Sequence, residues 1–340
     1  MKLIRLNSFL YLFCILSVFA SCVQKPDSSV EDWDRTFINT KKLISEACLD
    51  RELILGRPFL IQYVDSSLLI YDDIGDSLFL LVDLKENDRV YRFGQKGEGN
   101  NEFLQVFAFC NMKSDSILGV YDAYKHELRE INLDKVKRGE MNFPVVFKDT
   151  LSSIKLSPTK YDAYLGLGFY ESNMLSLTDN SIGSKFFFEY PYKDSREKAI
   201  SNRLRGMAYQ GTLCSNRSLD KFLYAVCSAP IFMLFSVNKD GIEKTYELIG
   251  GYPNYVTEET GEYRSAPMSA DNKMSFTMAY ATDNYIYLLY SGKNFRDAGM
   301  DAFKANVIYQ LSWNGKPINK FETDYPLTNF CVSDNDFEID

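Results

Sequence analysis

Histidine is almost missing from this chain of 340 residues: His126 is the single one. A Ser-His-Asp triad or a histidine-based metal site must use that residue or do without. It lies between Tyr124-Lys125 and Glu127, in a stretch that reads as an exposed hairpin turn, so it carries no catalytic expectation. Tryptophan is scarce, with 2 residues, and no Trp-Asp blade signature is present. No Cys-x-x-Cys pair and no Cys/His spacing suited to zinc occurs. Positive charge is also in deficit. Lys and Arg number 38 against 46 Asp and Glu, a formal charge of -8, and no basic patch is visible. Nucleic-acid binding by phosphate neutralisation is thereby excluded. The apolar run Phe9–Phe19 is too short to span a bilayer as a stable helix. No alternation of helix and strand patterns suggests a parallel α/β fold.

That first run is instead the core of a leader. Lys2 and Arg5 form a positive start, Phe9–Phe19 an apolar middle, and Phe19-Ala20-Ser21-Cys22 a cleavage box. Small residues before a cysteine resemble the lipobox of bacterial lipoproteins, with Phe19 where Leu is usual. The resemblance implies lipidation at Cys22, a signal peptide over 1–21 and a lipid-anchored product of the cell envelope, at the outer membrane. The polar segment 22–35 reads as a flexible tether. Of 7 cysteines, Cys14 goes with the leader and Cys22 with the anchor. Cys48, Cys110, Cys214, Cys227 and Cys331 remain, and they read as small buried apolar side chains.

What the chain has in quantity is short apolar runs closed by Asp, Gly or Asn. Pro58–Val64, Ser67–Asp72, Leu78–Asp83 and 88–93 form one such set, ending in the glycine-rich turn Phe93–Phe103. This is the layout of up-and-down strands in one propeller blade. About 50 residues on, in the range of blade repeats, Ile117–Asp122 answers Leu68–Asp72. Further units lie at Ser152–Tyr190, Leu204–Leu248 and Asn284–Phe321. The last is marked by Asn314-Gly315, the strongest hairpin signal in the chain. Gly250–Met274 reads as a long loop, and Lys193–Arg203 as a loop or short helix. Five units are legible and a sixth is partial. Residues 36–340 are therefore expected to form one all-β domain. A strand from 36–55 would pair near Leu327–Val332 to hide the ring's open edge.

Several stretches carry a family resemblance: Gly56-Arg57-Pro58, Leu69–Asp72, Phe93-Gly94-x-x-Gly97-x-Gly99-x-x-Glu102-Phe103, Ala208–Gly211, Tyr285–Lys293 and Trp313–Pro317. They resemble the TolB-like, six-bladed-propeller-like lipoproteins of Gram-negative envelopes. Gly94–Phe103 also resembles the turn of NHL-type repeats, with Asn100 where the family carries Pro. The resemblance covers roughly residues 50–333 and implies a six-bladed β-propeller on a lipid anchor. It implies no catalytic residues.

Candidate sites resolve in favour of structure. Gly94, Gly97 and Gly99 lack the Lys-Ser/Thr and the following helix of a phosphate loop, and are expected to supply positive φ in a turn between blades. Glu102 and Phe103 open the next blade, with Phe103 wedged between blades. Asp72 and Asp122 are expected to cap turns. Asp72, Asp73 and Asp76, and Asp334, Asp336, Glu338 and Asp340, lack the Gly and Glu of an EF-hand loop, and the latter group reads as a solvated tail. No catalytic residue, metal ligand or cofactor is assigned. The expected function is a non-enzymatic binding or scaffold protein for a protein or glycan partner. The alternative is a propeller lyase or hydrolase acting on glycans with Tyr and carboxylates. Tyr, Arg and His converging on the axis would favour the enzyme, and a mixed polar funnel would favour binding.

Overall fold

The computed structural model describes residues 29–46, 53–74, 76–85, 89–179, 183–260 and 263–336. The leader, Cys22, Cys48, Glu338 and Asp340 lie outside the described residues.

Five four-stranded antiparallel sheets are arranged as blades, each running outward from the axis in chain order. Blade 1 holds Pro58–Val64, Ser67–Asp72, Phe79–Asp83 and Arg89–Phe93. Blade 2 holds Val106–Asn111, Ile117–Asp122, Glu127–Asn132 and Val145–Lys148. Blade 3 holds Lys155–Pro158, Ala163–Leu167, Leu175–Asp179 and Gly183–Phe187. Blade 4 holds Gly211–Ser215, Lys221–Val226, Ile231–Val237 and Ile242–Ile249. Blade 5 holds Phe276–Ala281, Tyr285–Tyr290, Ala305–Ser312 and Pro317–Leu327. The middle strands are covered on both faces. Every residue of Ser67–Asp72 and Phe79–Asp83 is buried, which is why they read as continuous apolar runs rather than alternating ones.

Each pair of neighbouring blades shares a core. Phe79 and Phe93 meet Phe103 and Phe143 between blades 1 and 2. Between blades 2 and 3, Phe147 stacks on Tyr164 with ring centres 4.0 Å apart. Leu165 and Leu175 meet Phe222 and Phe235 between blades 3 and 4. Leu223 and Phe232 meet Phe276 and Leu288 between blades 4 and 5. Leu289 and Phe321 meet Leu68 and Val82 between blades 5 and 1, with Phe330, Cys331 and Val332 inserted. Five blades and five cores close the ring.

The all-β propeller is thus the fold, and the blade count among the described residues is five, not the six that the resemblance implies. Residues that could have built a sixth blade are used elsewhere. Thr40–Leu43 adds a fifth, parallel strand to blade 5, pairing Thr40 with Lys320 through Leu43 with Thr323. That strand lies beside Lys320–Thr323, while Phe330, Cys331 and Val332 enter the closing core; residues 47–52 of the expected closing segment lie outside the described residues. Glu258–Thr260 and Tyr263–Ser265 form a separate two-stranded ribbon. The flexible tether expected over 22–35 ends early, because Val30–Asp34 is a helix capped by the Ser29 side chain on Asp32 N–H at 3.1 Å. Its Trp33 fills the outer groove between blades 4 and 5. The indole lies 4.7 Å from the Tyr309 ring and 6.0 Å from Phe276.

The glycine-rich turn has a different logic from the expected one. Gly94 has φ +72°, and a Cβ there would lie 2.4 Å from the Phe79 ring. Gly97 and Gly99 are outside the left-handed region. Their space is taken by the Glu102 carboxylate, which accepts the Gly99 N–H at 2.8 Å. Lys125 donates to the carbonyls of Gly99 and Glu102 at 2.9 and 2.8 Å. Arg129 donates to Asn100 and Phe143 carbonyls beneath the Phe103 ring. The turn's own groups are therefore engaged by protein.

Asp72 and Asp122 perform one task in successive blades. Asp72 accepts the N–H groups of Gly56 and Arg57 at 2.5 and 2.7 Å. Asp122 accepts those of Leu104 and Gln105 at 2.6 and 3.2 Å. Each pins the entry of its blade's inner strand from the end of the second. Burial alone would raise the Asp72 carboxyl. The Arg57 and Gly56 N–H bonds outweigh it and hold the group below its usual range.

Two outcomes follow for stability. Phe103→Ala is expected to cost about 3–5 kcal/mol, since the ring is fully buried. Gly94→Ala should cost more than Gly97→Ala, because core backbone and ring must move in the first and a flexible carboxylate in the second. Urea denaturation of the three variants checks the order. For Asp72, whose folded pKa is lowered, the ionised group adds stability above the ordinary carboxylate range. That stability is lost as pH falls through the depressed value. Asp72→Asn should thus be less stable than wild type at pH 7, with the gap narrowing in acid. A gap independent of pH would show that the pin is not electrostatic.

Candidate functional site

The inner strands of the five blades enclose an axial channel. Its throat, with a cavity volume of about 70 Å³, is walled by apolar groups that include Leu60, Phe107, Leu213 and Met278. It opens into a polar mouth of about 230 Å³. Gln62, Asn111 and Tyr280 line both parts, so they are continuous. Asn111 Nδ2 donates to the Ser215 carbonyl at 3.0 Å. This bond joins blades 2 and 4 past blade 3, so the channel is narrow at that level.

The mouth is built from the turns that follow the inner strands. Asp115 comes from blade 2, Arg217 from blade 4 and Asp283 from blade 5. Asp334 comes from the segment after the last strand. Arg217 lies 3.5 Å from Asp334 and 3.8 Å from Asp115, and its Nη1 is buried with no partner among the described residues. Burial raises the Asp334 carboxyl above its usual range, more than the nearby Arg217 lowers it. Asp336 accepts from Thr282 and Tyr287 hydroxyls at 2.6 and 2.9 Å. The segment expected as a solvated tail is therefore docked through Asp334 and Asp336. Gln62 donates to the Tyr280 hydroxyl at 2.8 Å, and burial pushes that phenol well above its ordinary value.

The sequence-predicted residues do not gather here. Gly94, Gly97, Gly99, Glu102 and Phe103 lie at the blade 1–2 junction. His126 sits in the turn after the second strand of blade 2, with φ +54°. Antiparallel pairing puts that turn at the opposite end of the blade from the mouth. It is half-buried rather than exposed. Among the described residues, no three His, Cys, Asp or Glu side chains are placed to hold a metal ion. Arg217, Asp115, Asp283 and Gln62 carried no signal, because each is a single polar residue in an ordinary turn or strand. A second, larger depression of about 380 Å³ lies on the flank between blades 3 and 4, near Tyr161, Lys185 and Lys239. It is not on the axis.

The mouth offers hydrogen-bond donors and acceptors of both signs. The throat's thiols give it no nucleophile. Burial pushes Cys110 up, and Cys214 up to about 12.

The Arg217–Asp334 contact makes a direct prediction. Arg217→Met removes the cation that lowers Asp334, so the Asp334 carboxyl should titrate at still higher pH. Carboxyl NMR of labelled protein reads this, and an unmoved titration would show that the two groups do not pair in solution.

No curated protein matches the chain. A Bacteroides fragilis protein covers 83% of this chain and 79% of its own at 10% identity, with a TM-score of 0.48. A member of the DUF4221 family from Bacteroides vulgatus covers 82% and 85% at 11% identity and 0.47. The calcium-binding protein regucalcin of Agrobacterium tumefaciens covers 87% and 83% at 9% identity and 0.45. The model of one protein family matches residues 36–335, nearly the whole described chain. The chain belongs to the TolB-like 6-blade propeller-like family.

Proposed function

We propose that this protein is a lipid-anchored envelope propeller that binds a protein or glycan partner at its axial mouth without transforming it. The observation that carries the reading is the make-up of the mouth: Gln62, Asn111, Asp115, Arg217, Asp283 and Asp334, a mixed polar set with no histidine. Such a set satisfies many hydrogen bonds of a partner at once. The enzyme alternative is less favoured. Tyr280 and Arg217 do reach the mouth, but the phenol is held by Gln62 and titrates far above neutrality, so it is a poor base.

The anchor is part of the same reading. The leader and Cys22 precede the docked helix by a short segment, which keeps the propeller close to the bilayer. Cys22→Ala is expected to move the protein from the membrane to the soluble envelope fraction, because several acyl chains supply its main membrane affinity. Retention of the variant in washed membranes would overturn the anchor. For binding, wild type and Arg217→Glu are compared in capture from envelope extracts and on a glycan array. Capture should fall at least tenfold in the variant while its melting curve is kept. Equal capture by both, or turnover of a glycan by wild type, would overturn the reading.

A further inference from the structure

The throat of the channel holds a lysine that the mouth does not explain. Lys155 opens the inner strand of blade 3. By strand direction it lies at the far end of the channel from Arg217, level with Phe107, the second residue of the neighbouring inner strand. Its Nζ donates to the Phe107 carbonyl and stands 5.9 Å from that ring's centre. Among the described residues no carboxylate is in ion-pair range of it.

Lys155 is half-buried, and an ammonium partly withdrawn from water without a counter-charge is costly. Burial lowers the Lys155 pKa to about 8, and no neighbouring charge opposes the shift. One of its three donors is used on the Phe107 carbonyl, leaving two for another acceptor. The cavity beside it is mostly apolar and holds about 70 Å³, room for roughly five water-sized groups. Ionised Lys155, its spare donors and the short apolar wall complement a carboxylate head followed by a few carbons. The Asn111–Ser215 bond narrows the channel between throat and mouth, so a peptide strand would not thread it and a free small acid would fit.

We propose that the throat is a binding site for a small free monocarboxylate with a short apolar body, its head on Lys155. This deepens the reading of the channel as a binding site and rests on it. The other titratable groups facing the throat are Cys110, Cys214 and Tyr280, all pushed upward by burial. None of them changes charge between pH 6.5 and 9.5, so a pH effect on affinity in that window belongs to Lys155.

The test is calorimetric titration of the full chain with acetate, butyrate and hexanoate, and with hexanol and hexylamine as controls. At least one carboxylate should saturate at pH 6.5, with hexanol and hexylamine at least tenfold weaker. Affinity should fall at least tenfold by pH 9.5, as Lys155 loses its proton. Lys155→Met should lose at least tenfold in affinity with its melting curve kept. The head-group and pH arms use the wild-type chain alone, so they decide the matter even where the variant fails to fold. The proposal is overturned where no carboxylate binds, where hexanol binds as well as hexanoate, or where Lys155→Met binds equally. Carboxylate binding without partner capture at the mouth overturns the partner-binding reading alone. Capture that persists without carboxylate binding overturns the throat site alone.

Discussion

A sheet whose two faces are both apolar cannot stand alone in water, and here every blade is such a sheet. Burial of both faces forces each blade against two neighbours, and the arrangement is complete when the last blade meets the first. The fifth core supplies that meeting. Leu68 and Val82 of blade 1 face Leu289 and Phe321 of blade 5, and Phe330–Val332 fills the space between them. Thr40–Leu43 lies along the outer edge of blade 5 and covers what would otherwise be an open edge. The same segment brings Trp33 into the groove between blades 4 and 5. There Asp34 accepts from Tyr309 and Lys320 at 2.5 and 2.7 Å. Segments from before and after the blades thus both pack on blade 5.

The blades also had to be aimed. An inner strand must enter near the axis after a turn that starts at the rim. In blades 1 and 2 a buried carboxylate at the end of the second strand fixes that entry. The corresponding residues of the other blades are not acidic, and their entries are set by different groups. In blade 5 the preceding Asn272 donates to the Ser228 carbonyl of blade 4 at 3.0 Å. This uneven use of the pin explains why one internal repeat is so much clearer than the rest.

That unevenness marks the limit of what was legible. The strands of blades 1 and 2, and most of blade 4, could be read within a residue or two, because fully buried middle strands leave apolar runs bounded by Asp, Gly and Asn. The inner strands Lys155–Pro158 and Phe276–Ala281 could not. The first is four residues with a lysine at one end and a proline at the other, and the second mixes Ala, Met and Thr with its aromatics. Both line the axis, where a wall of small and polar groups replaces the β-branched pattern of a packed strand. The candidate site was hidden for the same reason, since it is made of one or two residues from each of five distant strands and turns. Blade number was lost on a separate ground. A resemblance in turn motifs reports how a blade begins and ends, whereas the count depends on what happens to the linking segments. Here those segments became a ribbon, an edge strand and a plug.

The channel's ionisable groups are spread along its axis. Acid–base catalysis needs a group whose pKa lies near the working pH and a second group within reach of the same reacting atom. Along this axis burial drives the phenol of Tyr280 and the thiols of Cys110 and Cys214 away from neutrality. Asp334 moves toward neutrality but is held at Arg217. Lys155 also moves toward neutrality, yet it stands at the opposite end, beyond the Asn111–Ser215 bond. The two shifted groups therefore stand at opposite ends of the channel. A channel arranged in this way places a lysine, an apolar wall and a polar rim in sequence along one axis, and it is this order on which the proposed binding reading rests.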